Sequence, residues 1–386
     1  MAFYHRLGAV PHKRHIQFRQ PNDKLYHEEL VSSIGFDGIY SLMYHIYPPT
    51  RIKQMLEPIP CVDEIANLGL QPIHLKTSIS EFTGKDFLDA RQVLMMNSDC
   101  KIAICNPENF TTDYFYKNGE ADEVIYMHDG DGWLISPFGK LRIRKGDYVV
   151  IPRTTIYRID FDPLVHPRML IVESRMPIET VGRYRNELGQ LLEHSPYCER
   201  DIHPPTSLLI EEEPKECVVY VKKQGAYHRF LYDTSVLDVV GWDGFLYPYT
   251  FSIYDFEPIT GRLHMPPPIH QTFQSRGCFV ICSFVPRLYD YHPLSVPAPY
   301  NHSNIDSDEV LFYAEGHFMS RKGIDRGSFT LHPGGLPHGP HPGTMEASLG
   351  KAETKEYAVM VDTFKPLHVT QKGLMYLDKD YPFSWL

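Results

Sequence analysis

The sequence lacks the features that mark secreted, membrane-spanning and nucleic-acid-binding chains. It has no CxxC pair, and its cysteines are seven, an odd number: Cys61, Cys100, Cys105, Cys198, Cys217, Cys278 and Cys282. A disulfide framework or a zinc clip needs paired or closely spaced thiols, so buried free thiols in a reducing compartment are expected. No apolar run reaches the ~18 residues of a membrane helix. The opening "MAFYHRLGAVPHKRH" has no apolar segment of the kind found in a secretory leader. Positive charge is in deficit, with 38 basic against 48 acidic residues for a net charge of -10. That balance argues against a broad nucleic-acid or anionic-membrane surface. Together these absences predict a cytoplasmic protein.

What is present is apolar and β-like. The 386 residues are 42% hydrophobic and 13% aromatic, enough for two cores. "CKIAIC", "GWLISPF", "CVVYVKK", "CFVICSF" and "EYAVMVDTF" are short, β-branched or aromatic runs bounded by turn residues. Helical spacing is rare: "IETVGRYRNELGQLLEH" predicts a helix over 178–194, with short helices near 23–34 and 84–95. The expected class is mainly β, as sandwiches or barrels with few short helices. The Pro-rich, acidic stretch 194–216 reads as a linker, dividing an N-terminal domain, 1–215, from a C-terminal one, 216–386. "HDGDGW" (128–133) superficially resembles the start of a calcium loop but lacks its closing glutamate, and reads better as a hairpin turn.

Histidine is uneven. Eight of the twenty lie between His264 and His341, which directs attention to the second half. A repeat links the halves. Asp-Glu-Val is followed by apolar residues and by a glycine seven positions after the glutamate, as Glu123 to Gly130 and as Glu309 to Gly316. A second block follows each copy, "GDYVVIPRTTIY" (146–157) and "GSFTLHPGGLPH" (327–338). In both, proline lies six after the first glycine, and a ring-bearing residue, Tyr157 or His338, closes the block.

These blocks resemble the two motifs of the cupin superfamily, a small antiparallel jelly-roll barrel. His302, Glu309 and Gly316 match the first motif, with Asn304 where a second histidine usually stands. Gly327, Pro333, Gly335 and His338 match the second. The resemblance implies a bicupin of two jelly-roll halves. The barrel near 90–175 is a degenerate copy without metal, and the C-terminal barrel carries the site. Its metal ligands would be His302, Glu309 and His338. Two imidazoles and one carboxylate on one face of an octahedron leave positions open for substrate and O₂. His341 fills no motif position and reads as a surface or supporting residue.

Further stretches, "PHKRHIQFR" (11–19), "GRLHMPPPIHQTF" (261–273), "CFVICSFVPR" (278–287), "PYNHSN" (299–304), "HPGGLPHGPHPG" (332–343) and "MVDTFKPLHVT" (360–370), resemble the homogentisate 1,2-dioxygenase family, in a divergent, bacterial branch. That resemblance implies an Fe(II) enzyme opening the ring of homogentisate with O₂, in tyrosine and phenylalanine breakdown, and assembling as trimers that pair into hexamers. It implies His270 as the active-site base and His332 as a histidine that either supports the metal ligands or contacts the substrate. The family's Gly-His-Tyr appears as Gly316-His317-Phe318. Phe318 therefore stands where a substrate-contacting hydroxyl is expected, which leaves open a gentisate-like or substituted substrate. A histidine titrating near neutrality would suit the base. A non-catalytic bicupin and a cupin sugar isomerase are the competing readings, both disfavoured by the ligand pattern.

Overall fold

The computed structural model describes residues 3–79, 81–261, 267–316, 318 and 323–386. His264 and His317 lie outside them. Strands dominate, and the regular helices are single turns or little more. No helix among the described residues is long and apolar enough to cross a membrane.

Two large antiparallel sheets carry the architecture. In the first, the central strands run in the order Arg91–Met96, Cys100–Cys105, Arg168–Ser174, Asp122–Asp129 and Asp147–Ile151. In the second, the order is Gln271–Ser275, Phe279–Phe284, Tyr357–Thr363, Asp308–Glu315 and Phe329–His332. Strand for strand the two sheets correspond, as the repeat predicts. The glycines that end and restart the repeat blocks adopt left-handed backbone in both copies: Gly130 at φ 82° and Gly316 at 96°, Gly146 at 86° and Gly327 at 83°. Only glycine takes that conformation without strain.

Side-chain alternation sets each sheet between two environments. On Asp122–Asp129, Val124 and Tyr126 face a core shared by both halves, while Ile125 and Met127 face the first barrel's own interior. On Asp308–Glu315, Val310 and Phe312 join the shared core, and Leu311 and Tyr313 face the other way. The barrels thus stack sheet on sheet, with Tyr126 and Phe312 ring centroids 6.1 Å apart and Tyr148 Oη 2.8 Å from Ser283 Oγ.

Four expectations need correction. The 178–194 segment is not a helix. Ile178–Thr180 is a strand, and Gly182–Tyr184 is one 3-10 turn. The Asn186 carboxamide oxygen then accepts from the Leu188 and Gln190 backbone N–H groups, and Gly189 turns at φ 85°, which closes a loop where a helix would have to continue. The segments near 23–34 and 84–95 form the strands His27–Ser32 and Arg91–Met96, because each pairs along its length with a neighbouring strand. The "HDGDGW" turn is no hairpin, since Gly132–Ser136 leaves Asp122–Asp129 to pair with Gly139–Ile143 and Arg158–Phe161 in a separate sheet. A single boundary at residue 215 also fails. Tyr249–Ser252 pairs with Asp147–Ile151, Ile73–Leu75 with Phe329–His332, and Ile178–Thr180 with Gln271–Ser275. Each half lends edge strands to the other's sheet, which hides backbone groups that an open edge would expose.

Candidate metal centre

Three of the residues singled out in the sequence converge in the second barrel. Glu309 opens the strand Asp308–Glu315 and points inward. His302 and His338 are locked to each other by a backbone bridge, with His302 N donating to His338 O at 2.8 Å and His338 N to His302 O at 2.9 Å. Gly339 permits this approach, since a Cβ there would lie 2.0 Å from Asn301 Oδ1. The ligand-capable atoms of His302, Glu309 and His338 all lie within 4.8 Å of one another. Asn304 stays out of the cluster; its carbonyl accepts from Gly335 N at 2.7 Å.

The donors fit a divalent ion. His302 Nδ1 lies 3.2 Å from the Tyr300 carbonyl and His338 Nδ1 lies 3.1 Å from the Leu336 carbonyl. A carbonyl only accepts, so both Nδ1 atoms carry the proton and both Nε2 lone pairs turn toward Glu309. His338 Nε2 is buried without a hydrogen-bond partner. Each Nε2 is 3.5 Å from a Glu309 oxygen. That is long for a charge-assisted hydrogen bond. It approaches the separation of about 3 Å between neighbouring ligands of one six-coordinate ion. Burial pushes the Glu309 carboxyl up, but His302, His332 and His338 overcome it and hold it well below the ordinary carboxylate range. Asp362 pairs across the sheet from Glu309. Burial and the Glu309 charge push it up to about 8, and its Oδ1 has no partner. No lysine or arginine among the described residues pairs with either carboxyl.

The cluster opens onto a cavity of about 420 Å³ lined by His270, Phe284, Arg287, His302, Glu309 and Phe318, among others. This is room for a single aromatic ring with a short arm. His270 is buried at 7% exposure, packs on Phe284 with rings 4.7 Å apart, and has a buried Nδ1 without a partner. Burial, then the Arg287 charge, lower its pKa to about 3 against a smaller pull from the Ser283 backbone. It is neutral at pH 7, not poised near its midpoint as expected. Phe318 packs edge-on against Tyr313 at 4.6 Å, and Tyr313 Oη is held by Thr330 Oγ1 at 3.0 Å.

Of its two expected places, His332 takes the one that supports the ligands. It does not line the cavity. Its Nδ1 is 3.0 Å from Glu309 Oε1, its Nε2 is 3.0 Å from Tyr381 Oη, and its ring stacks on His338 at 4.4 Å and 13°. Cross-strand pairing with Glu309 puts it on the same interior face, beside the carboxylate. His341 is buried to 1%, with Trp385 against its ring at 4.6 Å and Ser384 Oγ 3.2 Å from Nε2. Arg287, Asp362 and Tyr381 were not anticipated. "CFVICSFVPR" placed Arg287 after a strand but gave no sign that it lined a cavity, and no local pattern marks Tyr381.

Comparison with known proteins bears on this geometry. A family described as "Homogentisate 1,2-dioxygenase N-terminal" matches residues 100–253. "Putative dioxygenase SSO1533" of the archaeon Saccharolobus solfataricus is 43% identical over 388 residues, covering 100% of this chain and 99% of that protein. Homogentisate 1,2-dioxygenase of Bradyrhizobium diazoefficiens is 26% identical over 71% of this chain, and the match spans 63% of that enzyme's length. Among solved structures, a cupin 2 conserved barrel domain protein from Leptotrichia buccalis aligns over 79% of this chain and 99% of its own, with a TM-score of 0.33 and 10% identity. Matched end to end by a protein named as a dioxygenase, and through its first barrel by the homogentisate 1,2-dioxygenase N-terminal family, the chain belongs to the homogentisate 1,2-dioxygenase family of cupins as a divergent member.

Proposed function

We propose that the chain is an Fe(II)-dependent ring-cleaving dioxygenase that converts homogentisate and O₂ to 4-maleylacetoacetate, a step of tyrosine and phenylalanine breakdown. The observation that carries this reading is the His302, Glu309, His338 cluster facing a cavity that also holds a neutral histidine and an arginine. When bound, Fe(II) supplies a Lewis-acid and one-electron centre at which a phenol and O₂ can meet.

The chain's own groups do the rest. His270 accepts the proton of the substrate hydroxyl at Nδ1, the nitrogen left without a partner. Arg287 holds the carboxylate of the acetate arm. Nη1 gives one hydrogen bond to the Val285 carbonyl at 3.0 Å, and no carboxylate among the described residues is paired with the guanidinium. The two roles are coupled. Arg287's charge is the second cause of His270's depressed pKa. A bound carboxylate offsets that charge, so His270 becomes a stronger base when an anionic substrate is seated. Phe284 and Phe318 cover the ring and exclude water.

Phe318 favours a second substrate assignment on the same scaffold. It offers no hydroxyl to the arm, which suits a gentisate-like or substituted homogentisate ring. By family resemblance the reading extends to a homo-oligomer, trimer or hexamer, and the seven free thiols accord with the cytoplasm. An assay panel tests it. Protein reconstituted anaerobically with Fe(II) should consume O₂ and develop an enone absorbance with homogentisate. Turnover only with gentisate or a catechol moves the assignment to that ring, and no turnover with any of them overturns it.

A further inference from the structure

The chain's C-terminal tail reaches the metal cluster from behind. Asp378 anchors it, with Oδ2 3.0 Å from His74 Nδ1 and 2.9 Å from Lys76 Nζ. The turn Tyr381–Phe383 follows, and Trp385 Nε1 donates to the Gly339 carbonyl at 3.1 Å. The tail is therefore tied both to the strand Ile73–Leu75 and to the second motif block. Between these ties, Tyr381 is buried at 3% exposure with its hydroxyl 3.0 Å from His332 Nε2.

The hydrogen bonds along this line have only one consistent direction. Glu309 is ionised, so both its oxygens accept. The contact of His332 Nδ1 with Glu309 Oε1 at 3.0 Å then requires the proton on Nδ1. With the ring proton on Nδ1, Nε2 accepts, and Tyr381 Oη donates to it at 3.0 Å. His302 and His338 are each oriented by a backbone carbonyl, whereas Glu309, the one carboxylate in the cluster, is oriented by a side chain that itself needs orienting.

We propose that Tyr381 is a positioning residue for the metal centre: its hydroxyl fixes His332 as the Nδ1–H tautomer, and His332 in turn holds the Glu309 carboxylate at the angle at which it meets His302 and His338. The six C-terminal residues thereby act as a clamp on the site. Outer partners of this kind change metal affinity by about 10–100-fold when removed. The inference rests on the three-ligand reading for its affinity arm, but not on the choice of aromatic substrate, which takes no part in the test.

Histidine-selective ¹⁵N NMR of the wild-type protein loaded with diamagnetic Zn(II) reads the tautomer directly, with His332→Gln identifying the signals. His332 should carry its proton on Nδ1 and accept at Nε2; a proton on Nε2 overturns the proposal. Anaerobic Fe(II) titration against a competing chelator reads the consequence. Tyr381→Phe should bind Fe(II) about 10–100-fold more weakly. The melting temperature of its metal-free form should fall by no more than a few degrees, about one hydrogen bond's worth. Ser384→Ala, which loosens the tail without touching His332, should bind as wild type does. Unchanged affinity in Tyr381→Phe overturns the proposal. So does an equal loss in Ser384→Ala, which would make the tail a general brace. If Tyr381→Phe does not fold, the wild-type tautomer alone decides.

Discussion

The two barrels bury a carboxylate at the same point and surround it with different partners. In the first, Tyr116 and Tyr157 share the two-way backbone bridge that His302 and His338 share in the second, with both hydrogen bonds 2.8 Å long. Seven residues after Tyr116 comes Glu123, as Glu309 comes seven after His302. Across the sheet from Glu123 lies Glu173, as Asp362 lies across from Glu309. Arg91 Nη2 then donates to Glu123 at 2.5 Å and to Glu173 at 3.0 Å, while Lys222 Nζ reaches Glu173 at 2.6 Å. Tyr157 Oη completes the set with a 2.7 Å bond to Glu123. Two carboxylates and two cations close the charge within the chain. The second barrel also has an acidic pair, but no lysine or arginine paired with it among the described residues, histidine in place of both tyrosines, and a cavity beside the cluster, where the first barrel holds an apolar core. The difference teaches where a cation could be held: the second barrel keeps the carboxylate and puts two imidazoles where the first has tyrosines.

The comparison can be broken at several points. The largest expected effect is on turnover. His270→Ala should keep Fe(II) yet lose about 10²–10⁴-fold in kcat, the usual worth of a positioned acid–base group, measured by O₂ uptake; full activity would remove His270 from the reaction. Next, Arg91→Met leaves two buried carboxylates without their shared partner. It should lose about 3–5 kcal/mol in urea unfolding, while Fe(II) affinity in the second barrel stays within about twofold, since the two sites share no group. A smaller loss of about 1.5–3 kcal/mol is expected for Tyr157→Phe, which removes one hydrogen bond to a charged group; unfolding midpoints of the metal-free protein report it.

The pH dependence is the mildest effect. Burial lowers His270 to about 3, and burial with Arg326 lowers His128 to about 4. Both stay neutral when folded and gain protons when unfolded below their ordinary value. The stability they contribute is full above pH 6.5 and drains away as pH falls toward 4, by about 1.4 kcal/mol per pH unit for each. His45 runs the other way. Burial opposes its charge, yet Asp238 and Glu29 raise it to about 9, so its contribution is full below pH 6.5 and is lost as pH rises through 9. His128→Gln should flatten the acid limb of a stability–pH curve by one proton and leave the alkaline limb alone.

The ligand cluster was legible in the sequence because local spacing encodes it. Glu309 and Gly316 bracket one strand, and Gly327 to His338 spans the next strand and its turn. The same spacing identified Glu123 and Tyr157 as the counterparts, and so the two-barrel plan. The rest depends on pairings between distant segments, which spacing does not record. Arg91 and Lys222 come from strands outside either motif. His332 could line the cavity or support the ligands until its contacts with Glu309 and Tyr381 are known. Ile73–Leu75 and Tyr249–Ser252 carry no mark of the sheet they join. The 178–194 error was avoidable: Asn186 and Gly189 are turn residues, and they outweighed a loose apolar spacing.

The central claim is that one barrel takes its positive charge from its own side chains and the other from a metal ion. Equilibrium dialysis of metal-free protein against Fe(II) under anaerobic conditions counts the ions directly. The account predicts one ion per wild-type chain and none for His338→Ala. No ion in wild type, two ions per chain, or one that survives His338→Ala would contradict it.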